Sequence, residues 1–397
     1  IFSNRLLVKK DCYKTCEPFY NSNQEFDVLF FGSSHVDNGI SPLLLWKKYG
    51  ITSYNFAAPG NYIPSNYFRM YEVLRYLKSR GKQLPEVIVM DIYADKDSTY
   101  WLHLGWDDFM PSANKMRMTK ELLPEKDQAA MMFPFLLYHS RWNELGKDDF
   151  ITDVNRFYGM FSGDYRLSYP ENEIISDSSD QVEVDAENLN YLQEIEEECE
   201  VLGIKLIFIH IPYSYRPDLQ RMANRICQYE NEQGNLCVNY MNQVTELDYD
   251  IDFCDTGHLN PTGMRIMTDE VGKLLVDLGL EDHRGETQAV QWDQAYEDYI
   301  QFRIAKLREL KNAKSFLMAI NDPDLLSTVR IYEGMLGDVQ ISKLIERLKA
   351  EGHQIVITEE RPEIVSEDGQ VKHYDVYCEI YRRDDSDKLI HLAGFTM

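Results

Sequence analysis

The chain has 397 residues, 44% hydrophobic and 12% aromatic, enough for packed cores in more than one domain and unlike a disordered or fibrous sequence. Its 66 acidic and 41 basic side chains leave a formal charge of −25. That charge argues against a nucleic-acid backbone or an anionic membrane surface as the main partner, since both would repel it.

In chain order, Asp27–Phe31 reads as a strand that stops at Gly32-Ser33-Ser34-His35. Ser41 followed by Pro42 predicts a capped helix start, and Gly50 closes that helix. Thr52–Phe56 is a second strand. Ser65 is the expected cap of a helix carrying Phe68, Tyr71, Leu74 and Leu77 and ending at Gly81. Val87–Ile92 is a third strand, apolar throughout except for Asp91. Such unbroken runs suit strands buried on both faces, as in a parallel sheet.

From about 95 to 185 the pattern weakens into a Trp-, Met-, Tyr- and Phe-rich stretch, read as a helical insertion covering one end of the sheet. The charge is uneven here: between Arg166 and Lys205 lie 12 acids and no base. Leu189, Leu192, Ile195, Cys199 and Leu202 then mark a helix face ended by Gly203. Ile204–Ile211 is a strand, 216–231 a helix, 235–240 a short strand and 261–279 a helix. The polar stretch 281–291 reads as a linker. Beyond it the pattern predicts a long helix from Trp292 to about Asn312, a strand at 315–320, a helix at 339–351, and strands at 353–358, 373–382 and 388–395. The plan is an N-terminal extension (1–24), an α/β domain with a doubly wound, mainly parallel sheet flanked by helices (25–280), and a small C-terminal α+β domain (292–397).

Seven cysteines give an odd count and say little about compartment. Cys12 and Cys16 lie close enough in sequence to pair, while Cys199, Cys254 and Cys378 read as small buried hydrophobes. No apolar run reaches the roughly 18 residues of a membrane span.

Ligands bind at the carboxyl ends of strands in open parallel sheets, and Gly32-Ser33-Ser34-His35 sits at such an end. Glycine there allows a sharp turn, and a serine next to it either presents its oxygen to a cleft or caps the following helix. A second stretch, Asp255-Thr256-Gly257-His258-Leu259-Asn260-Pro261-Thr262-Gly263, precedes an amphipathic helix. An Asp and a His three residues apart on one loop can act together, the carboxylate holding the imidazole and the imidazole taking a proton from serine. His35 either touches substrate or caps the first turn. His139, Arg141 and Trp142 are candidates to line the cleft from the insertion, and Trp101 and Trp106 to stack on sugar rings. The nine histidines show no metal-ligand spacing and no phosphate-binding loop occurs, so neither a metal nor a cofactor is expected.

Gly32-x-Ser34 after an apolar strand, Gly60 in Asn55-Phe56-Ala57-Ala58-Pro59-Gly60, and Asp255-x-x-His258 together resemble the SGNH/GDSL hydrolases over about 25–280. The resemblance implies Ser34 as nucleophile, His258 as base, Asp255 as its partner, and backbone N–H groups of Ser34 and Gly60 as the oxyanion hole. Ser33 stands where that family usually has Asp. The Gly-Ser-Ser variant, and Pro134–Trp142, resemble extracytoplasmic relatives that acylate surface polymers, such as the D-alanyl lipoteichoic acid transfer and alginate O-acetylation proteins. That likeness implies an esterase or O-acyltransferase acting on a carbohydrate or acylated polymer, a membrane-bound O-acyltransferase partner, and a location outside the cytoplasm with an anchor upstream of Ile1. One departure is that the third strand ends Met90-Asp91-Ile92-Tyr93, without the family's Asn. Losing one oxyanion donor costs about 2.7–4 kcal/mol of barrier, so either Asn61 or Tyr93 substitutes or hydrolysis is weak. A non-catalytic polysaccharide-binding or assembly protein on the same scaffold is the alternative.

Overall fold

The computed structural model describes residues 16–96, 98–143, 157–161, 163–167, 179–213, 216–244, 246–365, 370–383 and 388–397. The chain divides into two compact units. The first comprises Ile1–Ser162, Glu171–Glu246 and Arg265–Asp293; the second comprises Gly163–Pro170, Leu247–Met264 and Gln294–Met397.

The first unit is built on five parallel strands: β1 (Val28–Phe31), β2 (Ser53–Asn55), β3 (Val87–Asp91), β4 (Lys205–His210) and β5 (Leu236–Asn239). Their spatial order is β2-β1-β3-β4-β5. Every residue of β1 and β3 is buried, which is why both read as unbroken apolar runs. Register pairs Phe31 with Met90 and Asp91 with Ile209. The last residues of β1, β3 and β4 therefore reach one end of the sheet together, and the polar residues that terminate them are gathered there.

The helix boundaries follow local chemistry. Ser41 accepts from the Leu44 N–H at 3.2 Å, Pro42 opens helix Pro42–Tyr49, and Gly50 ends it at φ +70°. The next helix, Ile63–Ser79, starts before the expected cap: Tyr62 is the cap residue, and Ser65 takes the third helical position. There its hydroxyl accepts from the Tyr62 N–H at 3.0 Å, the return half of a capping box. The insertion contains helices Thr99–Trp106, Ala113–Leu122, Glu125–Met132 and Phe135–Tyr138, while its described residues 163–167 and 179–185 are irregular. Among the described residues no helix is long and apolar enough to cross a membrane.

Helix Pro217–Gln233 is joined to β5 by a disulfide between Cys227 and Cys237. Beside it the Asn231 side chain brackets the same residue: Oδ1 accepts from the Cys237 N–H at 3.2 Å and Nδ2 donates to the Cys237 carbonyl at 3.1 Å. Cys199, Cys254 and Cys378 are buried thiols. Cys12 lies outside the described residues.

The second unit contains a four-stranded mixed sheet in the order β11-β10-β6-β7, from β6 (Leu326–Tyr332), β7 (Gln354–Thr358), β10 (Val376–Arg383) and β11 (Leu389–Thr396). β8 (Glu363–Val365) and β9 (Val371–His373) pair apart from it. Helix Val339–Ala350 crosses between the parallel strands β6 and β7, burying Ile341, Leu344, Ile345 and Leu348. The strand expected at 315–320 is instead a helix, Ala313–Ala319. Asn312 caps it by accepting from Lys314 and Ser315 N–H groups, and Phe316 to Ile320 are all buried. A short segment apolar on every side carries no periodicity that separates helix from strand.

Candidate active site

β1 delivers Gly32, Ser33 and Ser34 to the carboxyl end of the sheet. Gly32 does not take a left-handed backbone; it is required by crowding. A Cβ on it would lie 2.7 Å from Val36 Cγ2 and 2.8 Å from Asp91 Cβ. Ser33 caps the six-residue helix Ser34–Gly39, its Oγ accepting from the His35 N–H at 3.2 Å. Ser34 opens that helix and is half-buried.

Ser33 is only 1% exposed, and its Oγ donates to Asp91 Oδ2 at 2.6 Å. The same carboxylate oxygen accepts the Ser33 backbone N–H at 3.2 Å. Ser33 Oγ also lies 3.1 Å from His35 Nδ1. The His35 ring stacks on Tyr213 at 4.8 Å and meets the edge of Tyr93 at 5.1 Å. His210, last in β4, puts Nδ1 3.9 Å from Asp91 Oδ1 and turns its ring edge to Tyr213. Burial would raise the Asp91 carboxyl, but His210, His35 and the Ser33 hydroxyl outweigh it and hold the group below the usual carboxylate range. A buried carboxylate between two imidazoles thus fastens the turn that precedes Ser34.

This cluster was not read from the sequence. Its signal was there: Asp91 interrupts an apolar run at its carboxyl end, and His210 ends β4 in the same way.

The loop after β2 is tied to this turn. The Ala58 N–H donates to the Gly32 carbonyl at 3.1 Å. Asn55 Nδ2 donates to the Val36 and Ile40 carbonyls, and its Oδ1 accepts from the Ala57 N–H. Gly60 has φ +72°, and a Cβ there would sit 2.2 Å from Trp101 Cβ, so both conformation and space demand glycine. Asn61 is fully buried, with Oδ1 accepting from the Ser65 hydroxyl at 3.0 Å. Tyr93 is buried and accepts the Ile63 N–H on its carbonyl at 3.0 Å.

In the second unit, His258 Nδ1 lies 2.9 and 3.0 Å from Asp255 Oδ1 and Oδ2. Burial would lift the Asp255 carboxyl, but the hydrogen bond and charge of His258 and the N–H groups of Gly257 and His258 pull it below its ordinary value. An ionised Asp255 takes Nδ1–H as its donor, which leaves Nε2 as the basic nitrogen. Both side chains are half-exposed. The structure therefore brings Asp255 and His258 together, while Ser34, Gly60 and Asn61 belong to the first unit.

Of the insertion residues, His139 is exposed and its Nδ1 lies 3.0 Å from the Leu136 carbonyl. Arg141 and Trp142 fall in the short 3-10 helix His139–Asn143, with side chains outside the described set. Trp106 is fully buried; Trp101 is 42% exposed.

No protein-family model matches the chain. No curated protein matches it either. Among solved structures it is similar to a candidate acylhydrolase from Bacteroides fragilis, at 10% identity and TM-score 0.32, covering 67% of this chain and 94% of that one. It is also similar to a candidate lipolytic protein of the G-D-S-L family from Desulfitobacterium hafniense, at 10% identity and TM-score 0.34, covering 63% and 99%. A GDSL-like lipase from Bacteroides thetaiotaomicron gives 11% identity and TM-score 0.33, covering 68% and 100%. Likeness at this level adds nothing to the geometry, and the functional reading stands on the residues above.

Proposed function

We propose that the chain is a serine-dependent acyl esterase or O-acyltransferase, with Ser34 as nucleophile, His258 as base and Asp255 as the group that orients it. The observation that carries this reading is the Asp255–His258 pair, with both carboxylate oxygens within 3.0 Å of Nδ1. Such a pair fixes one tautomer and stabilises the imidazolium that forms when Nε2 takes a proton. Ser34 supports it from the first unit: it opens a short helix at the end of a central parallel strand and is less buried than Ser33.

In the proposed reaction Ser34 Oγ attacks an ester carbonyl and its proton passes to His258 Nε2. The leaving alcohol then takes that proton, and an acyl-serine remains. Water, or a sugar hydroxyl in a transfer reaction, gives its proton to the same nitrogen and attacks the acyl-serine. The serine oxygen recovers the proton as the product leaves. The reading requires Nε2 to reach the Ser34 hydroxyl. Ser34, Gly60 and Asn61 are the proposed oxyanion donors; the ionised Asp91 at the end of β3 cannot donate.

A carbohydrate polymer as acceptor, a membrane-bound O-acyltransferase partner and an extracytoplasmic location are proposed from the likeness of the Gly32-Ser33-Ser34 block. The Cys227–Cys237 disulfide supports that location, since such bonds persist in oxidising compartments. The test is release of p-nitrophenol from its acetate by the full chain, together with labelling by a fluorophosphonate. Release and labelling that both vanish in Ser34→Ala support the reading. Equal release by the two proteins, with Ser34 unlabelled, overturns it in favour of a binding protein on the same scaffold.

A further inference from the structure

The sequence gives the C-terminal α+β region no motif, yet one of its helices holds the loop that carries His258. Residues 248–255 place Asp248, Asp250, Asp252 and Asp255 within eight positions, a run whose charges repel one another. Three side chains on one face of helix Val339–Ala350 meet this run. Gln340 Nε2 donates to the Asp250 carbonyl at 2.7 Å. Lys343 Nζ donates to Asp248 Oδ1 at 2.9 Å and to Asp250 Oδ2 at 2.5 Å. Arg347 Nη1 pairs with the fully buried Asp252.

The clamped residues form the stem of a closed loop. The Asp252 carbonyl accepts the Asn260 N–H at 3.0 Å, Asn260 Nδ2 donates to the Ile251 carbonyl at 2.7 Å, and the Cys254 N–H donates to the His258 carbonyl at 2.9 Å. Phe253 and Leu259 pair as a β-bridge. Asp255 and His258 occupy the tip above this stem. Gly263 closes the far side, where a Cβ would lie 2.3 Å from the Asp252 carbonyl oxygen.

We propose that the C-terminal unit holds the base, with Arg347 and Lys343 as positioning residues that act on His258 through Asp252, Asp250 and Asp248. This rests on the reading of His258 as the base. A tip carried on a rigid stem keeps its imidazole in one place. Loosening the stem affects the chemical step more than ester binding, because a displacement of about 1 Å costs on the order of a hundredfold in rate.

The experiment uses the full chain and p-nitrophenyl acetate. Arg347→Met is expected to lower kcat by about 10- to 100-fold with KM changed less than about twofold. Arg347→Lys, which keeps the charge, is expected to recover to within about fivefold of the parent. Lys343→Met, at a half-exposed position, carries the test should Arg347→Met fail to fold, with an expected loss of about three- to tenfold. Lys306→Met removes an ion pair to Glu309 between two exposed side chains of the same unit. It is expected to leave kcat unchanged, so a loss there would mark general loosening of the unit and overturn the proposal. Unchanged kcat in Arg347→Met or, if that variant does not fold, in Lys343→Met also overturns it, provided His258→Ala is inactive. An active His258→Ala would instead remove the reading of the base, and the proposal with it.

Discussion

Asp255 holds the imidazole of His258 through both carboxylate oxygens, at 2.9 and 3.0 Å from Nδ1. Replacing that carboxylate by an amide of the same shape keeps the volume and lets the ring settle in the other tautomer. Asp255→Asn is therefore expected to lower kcat for p-nitrophenyl acetate by about 10⁴-fold with KM little changed. Steady-state kinetics decide it; activity within tenfold of the parent would mean that the carboxylate does not orient the base. The same pair sets a pH dependence of stability. The folded Asp255 carboxyl titrates below its unfolded value. Its contribution is thus complete above the unfolded value of about 3.9 and lost as pH falls through the folded one. Acid unfolding of Asp255→Asn should show a shallower fall in that window.

Glu230 gives the opposite sign. It is buried between helices Ala186–Leu202 and Pro217–Gln233, and burial together with the nearby Glu196 carboxyl pushes it up to about 8, against a partial pull from Asn235. The folded state therefore binds more protons than the unfolded one between the ordinary glutamate range and about pH 8. Stability falls as pH rises through that window and levels above it. Glu230→Gln should gain Tm relative to the parent at pH 8.5 and lose the advantage at pH 5. Parallel Tm curves for the two proteins would refute it.

Gly32→Ala tests the crowding at the head of the turn that carries Ser34. The new Cβ meets Val36 and Asp91 on a carbon already packed against both. Overpacking of this kind costs about 1–3 kcal/mol, read as a lower urea midpoint with unchanged slope. Fluorophosphonate labelling of Ser34 should slow in step. A variant as stable as the parent would show that the turn has room to yield.

Reduction tests the covalent tie between helix Pro217–Gln233 and β5. The bond closes a loop of about ten residues, so its removal is expected to cost about 2–3 kcal/mol. Dithiothreitol should lower the Tm of the parent to that of Cys227→Ser and leave the variant unaffected. An unchanged parent would mean that the crosslink does not constrain the unfolded chain.

The parallel sheet was legible because burial on both faces turns β1 and β3 into short unbroken apolar runs, set between helices that announce themselves by their own caps. Capping chemistry placed Ser41, Pro42 and Gly50 for the same local reason. Asp255 and His258 were legible as a pair because they stand three positions apart on one loop. Asp91, Ser33, His35 and His210 were not, because they come from three strand ends far apart in sequence and meet only through register. The helix Ala313–Ala319 was misread because tertiary burial removed its polar face. β6, with its alternating burial, was overlooked although Leu326–Tyr332 carries a period of two.

β5 lies at the margin of the five-stranded sheet, where a strand ordinarily offers a row of unused donors and acceptors to any extended peptide. Here the N–H and carbonyl of Cys237 already face an amide, that of Asn231, which stands in for the missing neighbour. The sulfur bridge keeps that helix seated against the strand. Addition of a sixth strand at this margin would have to displace Asn231 first, so the sheet is finished on this side by one side chain and guarded against templated assembly.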